Sequence, residues 1–388
     1  MHLRHLQLTH FRNYERQDLA LRPGPVLLLG ANAQGKTNVL EAAFVLATGK
    51  SPRTSVDADL IAWGVRDDPQ PFARVAGTAV RSDGEVTVEV TVAGRPGANG
   101  LVASKRFRLN GVAKRASDVA GAITAVFFTT DDMELVKGSP GERRRYLDVM
   151  LGQADRAYGR ALSRYGKVLA QRNALLKRLQ EGAGKPDELR YWDDELGDEA
   201  GVILRARAQA ALELARDAAG AHTRLSAGRE QFALAYEPRF VAGWTAERIA
   251  SAEPTELAAA LVDRLEQTRA RDIAAGMTLV GPHRDDLAMT LGGAPVASYA
   301  SRGQQRTAAL ALRLAEAQLL RDRSGERPIL LLDDVLSELD EERRESVLGA
   351  IDADQALITS ADADRFGAGF VAGAQAFEVR GGVATPRG

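Results

Sequence analysis

Cysteine is absent from the 388 residues. That excludes a disulfide framework, a thiolate zinc site and a cysteine nucleophile together, and a reducing, cytoplasmic life is the expectation that follows. Long hydrophobic runs are missing as well. No apolar stretch approaches the roughly 18 residues needed to span a bilayer, and the opening segment, MHLRHLQLTHFRNYE, is interrupted by charge every few positions. No membrane role is expected. Nor does one sign of charge dominate, since 51 Lys and Arg stand against 52 Asp and Glu. A global positive field for nucleic acid is lacking, so any such contact has to come from a local patch. Internal repeats and low-complexity tracts do not stand out either, general alanine richness apart.

The chain exceeds the roughly 250 to 300 residues at which single cores stop growing, which predicts two lobes. LQLTHF and DLALRP alternate and PVLLLG is continuously apolar, the pattern of two half-buried strands feeding a fully buried one. After Gly30, TNVLEAAFVLATGK carries apolar residues at helical spacing as far as Gly49, a good terminator. From about Phe72 to Leu109 the chain reads as a β-meander, and Asn110-Gly111 is a type I′ turn signal. A helix is expected to start at Ser139, with Pro140 in the first helical position and Glu142 placed to close a capping box. Leu162, Leu169 and Leu176 then fall seven apart beside Val168, Leu175 and Leu179, a seam of coiled-coil type.

After the breaker EGAGKP a helix returns from Trp192 to about Ala219, so a short arm of two antiparallel helices is predicted, with plain bundle packing as the alternative. Another helical run follows Pro254 and ends at Gly276. PILLLDDVL and QALITS read as buried strands of the parallel type. An α/β lobe is thus split by a mainly helical insert, dividing the chain into 1–125, 126–278 and 279–388.

Gly30 to Thr37 reads GANAQGKT and fits G-x-x-x-x-G-K-[ST]. Its glycines let backbone N–H groups wrap phosphates, Lys36 reaches the β- and γ-phosphates and Thr37 ligates magnesium, so ATP and Mg²⁺ are the expected cofactors. A glycine turn with an exposed lysine is the plainer alternative; placement between a strand and a helix speaks against it. ILLLDDV supplies the partner element, delivering Asp333 to the carboxyl end of a strand, where it can join Thr37 in the magnesium shell. Asp334 resembles, by position, the glutamate with which ABC-type ATPases polarise the attacking water. Being one methylene shorter, it predicts slow hydrolysis.

Ser301, Gly303 and Gln304 open a long helix whose bare N–H groups suit an anion. An ordinary N-cap serine is the alternative. Yet SRGQQ stands about thirty residues before the second motif, where an ABC signature belongs, and SELD, Ser337 to Asp340, resembles the loop that follows. Ser360 takes the place of the switch histidine, and no glutamine is evident around Thr129 to Asp132 where a Q-loop is expected.

FRNYE, GANAQGKTN, GKSPRT, the NG hairpin, GSPGERRRYLD, GPHRDD, SRGQQR, LLLDDVLSELDEERR and ITS occur in the order found in the RecF family, which the chain resembles nearly end to end. The resemblance implies an ABC-type head like that of SMC ATPases, of α/β class with a mixed sheet and flanking helices, plus the helical lobe with its short arm. It also implies a homodimer on ATP binding that acts on duplex and gapped DNA, and partnership with RecR and RecO in loading RecA. By position it places Arg12, Gly30, Ala31, Asn32, Ala33, Gln34, Gly35, Lys36, Thr37, Asn38, Asp333, Asp334, Asp340 and Ser360 around ATP. Ser301, Arg302, Gly303 and Gln304 would reach the nucleotide held by the other subunit.

Lys105, Arg106, Arg108, Lys114 and Arg115 cluster on one hairpin and suit phosphate contacts, with a merely solvated face as the alternative. Arg143 to Arg145 form a second basic run, and His283 and Arg284 of GPHRDD fit either a structural junction or a place near nucleotide. Two other classes fit the sequence less well. A transporter subunit would keep all its motifs in one compact domain, and a metabolic P-loop kinase would leave SRGQQ and SELD as coincidences.

Overall fold

The computed structural model describes residues 1–388 apart from 99, 242, 336–352, 362–365, 367 and 388. The chain forms two compact units, Met1–Asp132 with Glu316–Gly388, and Met133–Ala315. It begins in the first with β1 (His2–Phe11), β2 (Tyr14–Ala20), β3 (Gly24–Leu29) and α1 (Lys36–Thr48). There follow β4 (Phe72–Arg81), β5 (Gly84–Gly97), β6 (Gly100–Leu109), β7 (Val112–Lys114), α2 (Ala116–Val119) and β8 (Ala125–Thr129). The second unit contributes α3 (Met133–Lys137), α4 (Pro140–Ala154), α5 (Arg156–Gln180), α6 (Leu189–Leu225) and β9 (Phe232–Glu237). It continues through α7 (Ala246–Ser251), α8 (Pro254–Ala275), β10 (Asp286–Leu291), β11 (Ala294–Pro295), α9 (Val296–Tyr299) and the first part of α10 (Arg302–Ser324), whose residues from Glu316 on belong to the first unit. Last come β12 (Ile329–Asp333), β13 (Gln355–Ser360), β14 (Gln375–Arg380) and β15 (Val383–Pro386).

Two sheets build the first unit. One is antiparallel, in the order β2-β1-β4-β5-β6-β7; the other runs β15-β14-β3-β13-β12-β8 and is parallel except at β15. β3 and β12 are near-continuous runs of Val, Ile and Leu, as strands buried on both faces must be. Helix α1 is apolar on almost every side and accordingly buried, with the Phe44 ring edge-on to Phe127 of β8 at 5.5 Å. Its Leu46 packs on β4 at Gly77, where a Cβ would come within 2.5 Å of the leucine Cδ1 and force that side chain to shift. Asn110 and Gly111 both have positive φ, 49° and 78°, as a type I′ hairpin requires.

In the second unit α5 and α6 form the two-helix arm, joined across the EGAGKP breaker. The seam differs from the leucine heptad read from sequence: Leu162 and Leu169 are only half-buried, and the buried line is Tyr158, Ala161, Tyr165, Arg172, Leu175 and Leu176. Arg172 explains the rotation. Fully buried, it donates to Asp193 Oδ1 at 2.7 Å and to Asp272 Oδ2 and Thr278 Oγ1 at 2.8 Å, so a polar hub occupies the seam. Helix α4 starts at Pro140 as expected, but the Ser139 side chain makes no cap bond, so the expected capping box is not formed. Segment 279–315 groups with the helical unit, unlike the division drawn after 278, because β10 pairs along its whole length with β9.

Candidate nucleotide site

The parallel sheet places the site by register. Asp333, the last residue of β12, stands beside Thr129 of β8 and Thr359 of β13, while Ser360 stands beside Leu29 of β3. The carboxyl ends of these strands therefore line up, the usual place for ligands in such sheets. The loop of residues 30–35 leaves β3 here and turns into α1 at Lys36.

That loop is held from outside by two turns. From the β1–β2 turn, Asn13 Nδ2 donates to Gln34 O at 2.9 Å, Asn38 Nδ2 donates to Asn13 Oδ1 at 2.8 Å, and the Tyr14 hydroxyl donates to Gly35 O at 3.0 Å. From the β14–β15 turn, Gly382 N donates to Gln34 O at 3.0 Å and Gly381 N to Gln34 Oε1 at 2.8 Å. Gly35 (φ 116°) has no room for a side chain, because a Cβ would lie 2.7 Å from the Asn13 amide. Ala33, at φ 64°, completes a backbone bent in the left-handed sense that favours anion-binding N–H concavities. Lys36 Nζ arches back over the loop, donating to Gly30 O at 2.6 Å and Ala31 O at 2.9 Å. Burial lowers its pKa, against the raising effect of Asp334 and Asp333.

Thr37 Oγ1 donates to Asp333 Oδ1 at 2.8 Å, joining residues 296 apart in sequence. Thr359 Oγ1 donates to the same oxygen at 2.8 Å and accepts from Asp334 N at 2.9 Å. Burial raises the Asp333 pKa, opposed by these two hydroxyls and by the charge of Arg53. Asp334 sits at φ 53°, a left-handed backbone that an aspartate tolerates better than most residues and that is enriched where strain serves a site. A hydroxyl and a desolvated carboxylate are hard oxygen donors suited to Mg²⁺, which typically takes only one or two protein ligands beside water and phosphate oxygens. No cluster of three metal-binding acids or histidines occurs among the described residues.

Sequence reasoning missed Thr359. It singled out Ser360, yet the β-strand alternation sends the Thr359 hydroxyl to Asp333, whereas the backbone oxygen of Ser360 accepts from Gly30 N at 3.3 Å. Arg53, in the GKSPRT motif, also reaches this site. It donates to Asn38 Oδ1 at 2.8 Å and lies 3.5 Å from the buried Glu41 carboxylate. Arg12, which the resemblance places around ATP, gives its guanidinium to both oxygens of Glu41, at 2.8 and 2.6 Å, and to Asp59 O at 3.0 Å. Asp340, with the rest of SELD, lies outside the described residues.

In the second unit Ser301 and Arg302 are exposed at the start of α10. Ser301 N donates to Gln304 Oε1 at 2.7 Å, and Gln304 N donates to Ser301 Oγ at 3.3 Å, a reciprocal cap. The basic hairpin does not present one face. Register puts Lys105 and Lys114 on the side of Phe107, where Lys105 bonds Gly49 O at 2.8 Å and pairs with Asp57; Arg106 and Arg108 point to the opposite, exposed side. Arg115 is exposed beyond the strand. Arg143 forks onto Asp286 at 2.6 and 2.9 Å and Arg144 donates to Asp285 O at 2.8 Å, so these two arginines of the run are engaged within the unit. His283 is structural here: Nε2 faces Thr278 O at 3.1 Å and therefore carries the proton, leaving Nδ1 to accept from the Tyr165 hydroxyl at 2.6 Å.

Residues 2–371 match the model of the RecF/RecN/SMC N terminal domain. The DNA replication and repair protein RecF of Roseiflexus castenholzii is 43% identical over 395 residues, covering 98% of this chain and 99% of its own length. A solved structure of the recombination mediator protein RecF with ATP, of the RecFOR pathway, matches with a TM-score of 0.86 at 30% identity, covering 100% of this chain and 97% of that one. The Smc head domain of Pyrococcus furiosus, solved with the C-terminal domain of ScpA, shares the fold at a TM-score of 0.52 and 18% identity, over 100% of this chain and 96% of that one.

Proposed function

The chain belongs to the RecF DNA replication and repair proteins of the RecF/RecN/SMC family and is an ATPase of the ABC/SMC type; on that premise we propose that ATP clamps two copies into a dimer on DNA. The observation that carries this reading is the Thr37–Asp333 hydrogen bond at 2.8 Å, which unites two motifs from opposite halves of the sequence. Lys36, poised over the loop by carbonyls it would exchange for phosphate oxygens, neutralises the β- and γ-phosphates. Thr37 and Asp333 would hold Mg²⁺, which supplies charge neutralisation at the phosphates when bound. Asp334, anchored through its own N–H by Thr359, orients the attacking water, and its short side chain makes hydrolysis slow. Ser301 of one copy closes over the nucleotide held by the other.

The clamp works in the cytoplasm on duplex DNA near single-strand gaps, in recombinational repair, where with RecR and RecO it promotes loading of RecA. ATP-driven dimerisation of the wild type, Lys36→Met and Ser301→Arg, followed by light scattering with and without gapped DNA, tests the reading. Both variants are expected to stay monomeric with ATP, and the wild-type ATPase rate to rise with DNA. Normal dimerisation of Ser301→Arg would remove the closure across subunits.

A further inference from the structure

Residues 226 to 253 carry little pattern in the sequence, yet the turn at their start reaches the signature. Helix α6 ends at Leu225, and the chain reverses through Ala227 (φ 50°) and Gly228 (φ 73°), with Gly228 N bonded to Thr223 O at 2.8 Å. This reversal delivers Glu230. One of its oxygens, Oε1, accepts from Gln304 Nε2 at 2.9 Å; the other, Oε2, lies 3.5 Å from Nε2 of His222, a fully buried ring stacked on Phe232. Neither nitrogen of that ring has a hydrogen-bond partner among the described residues.

The chemistry of these groups permits one arrangement. An ionised carboxylate only accepts and the Ser301 N–H only donates, so the Gln304 amide satisfies both only with its nitrogen toward Glu230 and its oxygen toward Ser301. With Gln304 so turned, the α10 cap is complete. Ser301 Oγ accepts from Gln304 N and keeps its own hydroxyl proton to donate outward, as phosphate recognition requires. We propose that Glu230 is a positioning residue for the signature, fixing the polarity of the Gln304 amide and thereby the donor direction of Ser301. The proposal rests on the reading of Ser301 given above and names no new contact with the nucleotide.

Exchanging the partners tests it. Gln304→Glu alone sets two carboxylates against each other and is expected to weaken ATP-driven dimerisation of the full chain on the order of tenfold. Glu230→Gln alone frees the amide to flip and weakens it less. The double variant Glu230→Gln/Gln304→Glu restores a carboxylate toward Ser301 N and an amide opposite it, and is expected within about twofold of wild type. A second readout needs no nucleotide: the Gln304 side-chain amide resonance should be slow to exchange and should move in Glu230→Gln. A double variant that melts like wild type but dimerises no better than Gln304→Glu would overturn the proposal, as would an amide resonance indifferent to Glu230. A wild-type chain that stays monomeric with ATP while the resonance responds would instead overturn the reading of Ser301 on which it rests.

Discussion

At the scale of single residues, the site depends on a threonine that sequence patterns did not flag. Thr359 both donates to Asp333 and accepts from the Asp334 N–H, so Thr359→Val keeps the shape and loses both bonds. Groups that orient a metal-binding carboxylate are commonly worth about 10- to 100-fold in activity or metal affinity. A loss of that size is expected in steady-state ATPase assays, with the fold unchanged by circular dichroism. His283 makes a different prediction. Burial depresses its pKa from 6.5 to about 4. Between those values the unfolded chain binds a proton that the folded chain does not, so stability falls as pH drops through this window, by at most about 3 kcal/mol. Urea unfolding from pH 7 to 4.5 should show the loss, and His283→Gln should flatten that part of the profile.

At the scale of elements, the helical arm and the basic hairpin show what sequence spacing conveys and what it omits. Strand β3, the glycine loop and α1 were legible because continuous hydrophobicity, glycine and helical spacing each follow from local chemistry. The arm was legible as two helices broken at EGAGKP. Its seam was not, because Arg172 is buried only through acids at positions 193 and 272, which no local pattern connects. Arg172→Met would leave the buried Asp272 without its charge partner, while Asp193 keeps Arg269 at 3.1 Å, and should cost about 3 kcal/mol in urea unfolding. On the hairpin, strand alternation divides the basic residues between two faces. If Arg106 and Arg108 meet phosphates, replacing both with alanine should lower the salt dependence of DNA binding by about 0.9 per contact in log–log slope. Lys105→Ala, which unties Gly49 and Asp57, should leave that slope unchanged.

At the scale of the whole molecule, both motifs of the nucleotide site were readable in the sequence, but the sheet that joins them was not. Nothing local says that β12 lies beside β13 and β13 beside β3; the strand order does. ATP with Mg²⁺ should therefore stabilise the first unit as a whole. An increase of about 2.7 kcal/mol is expected at a hundredfold excess over Kd, measured by calorimetry, and it should vanish in Lys36→Met or with a chelator. The same connectivity carries a consequence in time. Thr37 leaves the ribosome 296 residues before the carboxylate it bonds. At about 5–20 residues per second the first half waits roughly 15 to 60 s for its partner strand. During synthesis, then, nucleotide cannot template this unit, and the glycine loop must survive on the β1–β2 hairpin of its own half until the last strands arrive.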